Sequence, residues 1–341
     1  MLKTETQKRN IWLDLFKLVL CWLVVCIHFA GNHYAHHPLY RVAVPTFFII
    51  SGYFLYKKED DKRLQSAKNF VKRSAAYMLF GLGFYLVYGF VICFIDKTSP
   101  SEYFTSLYFN DIVRNFLILN CNPLKDAYHL WFIIALFTVS VFHFLLVKFK
   151  KEKWYFWIVP LCIGVHLFFN GYVKYCGGDP VSLIYTRNAL FFGLPMCGLG
   201  YLLAQYNFHK KKWLKFLYLA LGLAFFYLQT VEGNLLELEL YLSSIFSAVF
   251  LFLFFMDLKP VKADWYYTYI GKSAHFYIYI IHLAVGKRFE KLITINHIYL
   301  KCFAVFAVSL VLYEICFLMV KLVKYLYENF HKKRAKNTLK N

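Results

Sequence analysis

Apolar runs of roughly twenty residues, the length that crosses a hydrocarbon layer, recur along the whole chain with short polar segments between them. None alternates with a period of two. A stretch such as SAAYMLFGLGFYLVYGFVICFI is apolar on every face, which excludes the alternating strands of a membrane barrel and leaves helices. The pattern predicts spans at residues 11–30, 41–56, 74–95, 128–147, 154–170, 187–206, 213–231, 238–256, 266–286 and 298–320. The expected fold is therefore an all-α integral membrane protein, a bundle of about ten transmembrane helices. The second block is short and carries Pro45 and Gly52. It is expected to be bent or partly re-entrant, a geometry tolerated where protein covers the backbone.

Composition agrees with that pattern. The 341 residues are 60% hydrophobic and only 17% charged, against about half and a quarter in soluble domains. The first block follows a basic start as a signal peptide does, but it contains Asp14 and Lys17 and lacks a small-residue cleavage site, so it is expected to be retained.

The net charge of +20 raises nucleic acid as a partner, yet the basic residues sit between the apolar blocks rather than in one patch; none is expected. Of the 39 Lys and Arg, 28 fall in one set of alternating loops and 10 in the other, with Lys17 inside a span. The richer set includes both ends, which places both termini in the cytoplasm. The outer loops at 96–127 and 171–186 are too short for a further domain, and the chain has no phosphate-binding loop, internal repeat or Gly/Ser linker. The expectation is one transmembrane domain, 1–341, with a basic tail at about 321–341, in the cell membrane.

Seven of the nine cysteines lie inside apolar blocks, where they act as small hydrophobes, and no paired Cys-x-x-Cys motif appears, so no metal is expected. Cys121 and Cys176 lie in outer loops, where an oxidising exterior permits a disulfide.

Ionisable groups inside spans are costly and mark functional positions. The first span carries Asp14, Lys17 and His28. Eleven helical steps come to about 1100°, roughly 20° past three turns, so Lys17 and His28 share a face about 16 Å apart along the axis. Such a stripe suits a cavity that crosses the membrane. The plainer alternative is that Lys17 pairs with Asp14 while His28 bonds a carbonyl.

Five segments in order resemble the membrane-bound acyltransferase 3 family: DLFKLVLCWLVVCIH, RVAVPTFFIISGYF, YHLWFIIALF, TRNALFFGLPMCGLGY and IGKSAHFYIYIIH. Several phrases look closest to the branch that includes membrane portions of serine racemases. The family often carries two arginines three residues apart entering the third span; here Arg73 is followed at that spacing by Ala76, with Lys72 as the nearest substitute.

The resemblance implies an acyltransferase that moves an acyl group, commonly acetyl, from cytoplasmic acyl-coenzyme A to a hydroxyl of a cell-surface or lipid-linked glycan. No permanently bound cofactor is implied. His28 would be the general base, a role suited to imidazole, with Lys17 and Asp14 as further catalytic residues lower on the same helix. Lys17, Lys72 and Arg73 would meet the donor's phosphates. Arg41, His129, Trp131, Arg187, Asn188, Ser273 and His282 would face the acceptor, although interfacial anchoring or packing explains several of them equally well. Ser273 and His282 are about 900° apart and so not a dyad. His143 and His166 read as structural, and Glu314 as a lone carboxylate deep in the last span. The competing function is a transporter that moves a small amino acid or sugar-lipid without covalent change.

Overall fold

The computed structural model describes residues 10–30, 37–101, 113–121, 124, 126–208, 214–236, 238–259 and 265–338. Parts of the 96–127 loop and the basic stretch 209–213, both used in the loop-charge count, lie outside the described residues. Helices account for the architecture, and among the described residues there is no strand. The main helices are α1 (Ile11–Phe29), α2 (Ala43–Tyr53), α3 (Asp60–Asp96), α4 (Trp131–Lys148), α5 (Tyr155–Asn170), α6 (Leu194–Tyr206), α7 (Leu214–Leu235), α8 (Leu242–Asp257), α9 (Trp265–Leu292) and α10 (Ile298–Thr338). A helix thus lies on each predicted block. Among the described residues six helical segments, containing α1, α3, α4, α6, α7 and α10, are long and apolar enough to cross a membrane.

The boundaries differ from the hydropathy pattern where helix propensity and hydropathy diverge. Helix α3 begins at Asp60, because the charged stretch before the apolar block holds good helix formers and acidic residues in its first turn. Helix α2 has 11 residues, about 16 Å, half the hydrocarbon thickness. Its backbone is covered by α6, α8 and α1. Segment Ala189–Gly193 winds as a π-helix into α6.

Helices α2 and α6 pack backbone to backbone. A Cβ at Gly52 would fall on the carbonyl of Cys197, and one at Gly200 on the carbonyl of Ile49. Small residues at facing positions allow this approach, as in other membrane helix pairs. Around that seam Phe48, Ile49, Tyr201 and Phe252 are fully buried. The outer surfaces of α3 and α10 are apolar and open: Phe94 is 87% exposed, and Val87, Phe90, Val320 and Val323 are exposed as well. Apolar surface of this extent needs lipid against it.

Helix α1 lies centrally, packed on α9, α10, α2 and α8. The Asn10 side chain accepts from Leu13 N and donates to the Phe255 carbonyl at the end of α8, fixing where α1 starts and hence where its polar face points.

Candidate functional site

Three imidazoles from three elements meet at the end of α1. His28, in its last turn, has its ring 5.2 Å from that of His282 on α9 and 6.2 Å from that of His129; those two are 4.9 Å apart. His129 comes from the short 3-10 turn Tyr128–Leu130 that leads into α4.

Backbone carbonyls set the orientation of two of these rings. His129 Nε2 lies 3.1 Å from the Ile280 carbonyl, and His282 Nδ1 lies 2.7 Å from that of Tyr279. A carbonyl only accepts, so these nitrogens carry the protons and donate. In the neutral rings the lone pairs then sit on His129 Nδ1 and His282 Nε2. Both atoms are buried and have no hydrogen-bond partner among the described residues. The Tyr279 hydroxyl donates to the His129 carbonyl and the Tyr85 hydroxyl to Ile280, so the turn, α3 and α9 are tied together behind the rings. Tyr128 presents its ring to His28 at 5.4 Å.

A second polar group lies within electrostatic reach of His28 and contains Arg41 and Arg187. Arg41 donates to one Glu239 oxygen at 2.5 Å, and Arg187 lies 3.5 Å from the other. The Arg187 guanidinium also sits 5.4 Å over the Trp131 ring, a cation–π contact. Asn188 beside it serves the backbone, since its side-chain oxygen accepts from Leu190 N and Phe191 N and so caps the π-helical entry to α6. Lys287 pairs with Asp126 and lies 5.9 Å over the Tyr128 ring.

The remaining sequence candidates lie elsewhere. Lys17 and Asp14 form an ion pair at 3.2 Å on α1, with Asp14 buried. Lys72 and Arg73 are exposed on α3. Ser273 bonds Tyr313 at 2.8 Å between α9 and α10, away from the imidazoles. His143 and His166 are buried and bonded to Tyr155 and the Thr186 carbonyl. Among the described residues the Glu314 Oε1 has no hydrogen-bond partner. Cys121 and Cys176 are both free thiols, so no bridge joins them in this structure.

Sequence reasoning passed over Glu239, Tyr128, Asp126 and Lys287. Glu239 carried a signal, an acidic residue inside the apolar stretch LLELELYL. The other three become visible only through the contacts that converge on His28. Among the described residues no group of three or more His, Cys, Asp or Glu is arranged to hold a metal ion.

The arrangement joins a base-capable ring, two further lone pairs and a pair of guanidiniums, contributed by all five of the motif segments. The family model described as an acyltransferase domain matches residues 10–314. A serine/alanine racemase of Enterococcus gallinarum is 26% identical over 211 residues, 54% of this chain and 28% of the racemase, so the match spans little more than a quarter of that protein's length. No solved structure matches. With its helices and its match across nearly the whole length, this multi-pass membrane protein belongs to the acyltransferase-3 family of acyltransferases.

Proposed function

We propose that the protein transfers an acyl group, by preference acetyl, from cytoplasmic acyl-coenzyme A to a hydroxyl of a cell-surface or lipid-linked glycan, with His28 as general base. The observation that carries this reading is the His28 ring, which faces two imidazoles, each with one buried nitrogen that has no hydrogen-bond partner among the described residues. Both termini and the start of α1 face the cytoplasm in this reading, about ten spans cross the cell membrane, and Lys17 lies on the donor side. Lys17 holds or orients the donor, whose phosphates Lys72 and Arg73 meet at the mouth.

The chemistry balances without an added group. The acceptor oxygen attacks the thioester carbonyl carbon while its proton moves to the free nitrogen of His28. The tetrahedral oxyanion then collapses, the C–S bond breaks, and the coenzyme A thiolate takes the proton back from the imidazolium. Positive charge near the developing oxyanion lowers the barrier, a role this reading gives to Arg41 and Arg187.

Acetyl-coenzyme A binding and turnover by purified protein in detergent tests the reading. The parent binds and turns over the donor, Lys17→Ala weakens binding, and His28→Ala stops turnover. If the parent protein fails to bind the donor, acyl transfer is excluded.

The similarity to a serine/alanine racemase favours one second reading, passage of a small amino acid across the bilayer through the same polar stripe. Serine uptake by proteoliposomes that is indifferent to acetyl-coenzyme A would establish it in place of the first.

A further inference from the structure

A cavity of about 480 Å³ opens where the ends of α3 and α9 meet. Its wall carries Asp96, Asp126 and Glu290 against Lys287, Arg288 and Lys291, with Tyr88 and Thr98 beside them. The volume falls within the range of small-molecule sites, roughly 300–1,000 Å³.

These charges are cross-braced. Arg288 grips Asp96 through two hydrogen bonds of 2.8 Å, and Lys291 reaches the same carboxylate at 3.0 Å. Lys287 pairs with Asp126, and Glu290 with Lys301 at 2.8 Å. Fixed in this way, the wall presents charge-assisted donors and acceptors side by side and equal numbers of positive and negative groups.

One residue of the wall also connects it to the base through side-chain contacts. Lys287 lies on its wall and over the ring of Tyr128 at 5.9 Å, and the same ring meets His28 edge-on at 5.4 Å. Tyr128, 49% exposed, thus stands between the charged wall and the imidazole.

We infer that this cavity is the acceptor subsite and that it takes a neutral sugar ring. Alternating carboxylates and cations suit vicinal hydroxyls, each of which both donates and accepts, and Tyr88 on the wall offers a flat apolar ring to the C–H side of a pyranose. An anionic sugar finds no net positive charge here, since the cations of the wall already pair with Asp96 and Asp126, so the wall does not favour it. A free amino acid would leave most of the volume unfilled. The inference rests on the acyl-transfer reading and names its substrate class.

The test measures binding of methyl β-D-glucopyranoside and methyl β-D-glucuronoside to the full-length protein in detergent, together with acetyl-coenzyme A binding in the same preparation. The neutral glycoside binds the parent, its dissociation constant rises about tenfold in Lys287→Gln and in Asp126→Asn, the worth of one charge-assisted bond, and Lys287→Arg restores it. Preference for the glucuronoside, equal binding to parent and variants, or no glycoside binding overturns the inference. Donor binding that persists in that case leaves acyl transfer standing, whereas its loss from the parent removes acyl transfer itself.

Discussion

Tyr85 and His129 hold one oxygen between them: the Ile280 carbonyl accepts from the tyrosine hydroxyl and from His129 Nε2, each at 3.1 Å. Both bonds come from outside α9, so α3, α9 and the turn before α4 are locked at the height of the imidazoles. The rings behind His28 are consequently held by backbone, an arrangement that survives changes in the side chains around it.

The general-base role predicts a large and specific loss. His28→Ala should lower acyl transfer by a factor of about 10² or more with expression and donor binding retained. His129→Ala and His282→Ala, which remove rings that face the base, should cost nearer tenfold. Single-turnover transfer from radiolabelled acetyl-coenzyme A separates these cases, and a His28→Ala rate within tenfold of the parent would remove the assignment.

The close seam between α2 and α6 predicts a folding defect with no chemical cause. Gly52→Ala and Gly200→Ala each drive a methyl group into a backbone carbonyl, which cannot rotate away as a side chain can. Each should cost toward the upper end of the usual overpacking range, about 3 kcal/mol. Gly83, where an added Cβ meets nothing within 4 Å, is the control. A thermal midpoint in detergent that is the same for Gly52→Ala and Gly83→Ala would contradict the packing.

Glu239 predicts a penalty of a different kind. Its carboxylate, 12% exposed, is shared by Arg41 and Arg187, which are 12% and 32% exposed. Glu239→Gln removes the negative charge that both guanidiniums use and should destabilise the fold by on the order of 3 kcal/mol. Pairing it with Arg41→Gln should recover part of that loss, and a double-mutant cycle on thermal midpoints reads the coupling. Additive effects would show that Arg41 and Glu239 do not act together.

The sequence announced the helices because they depend on local periodicity, which one chain displays by itself, and it offered the Lys17–Asp14 pair as one of two readings of α1. Helical spacing also separated Ser273 from His282, and the two residues do face different neighbours, Tyr313 and His28. Contacts between distant segments carry no such signal. Nothing in YHLWF tells that His129 turns its Nε2 to Ile280, 151 residues away, or that Asn188 spends its oxygen on the cap of α6. Local signals conflicted at α3, where charged residues that end a hydropathy block are good formers of its first turns.

Asp96 predicts how the end of α3 responds to acid. Hydrogen bonds from Arg288 and Lys291 hold its carboxyl well below the usual carboxylate range. A group whose pKa is lower in the folded than in the unfolded state stabilises the fold fully above the unfolded value, near 3.9. That contribution drains away as the pH falls below it toward the folded value. Asp96→Asn should therefore unfold at a lower temperature than the parent at pH 7, and the gap should narrow as the pH drops below about 4. The pair is partly exposed, at 28% and 25% for Asp96 and Arg288, so the gap is small and shrinks with added salt. Thermal midpoints of both proteins from pH 7 to pH 3, at low and high salt, give the comparison; a gap that widens in acid would mean that Asp96 is stabilised by something other than its charge.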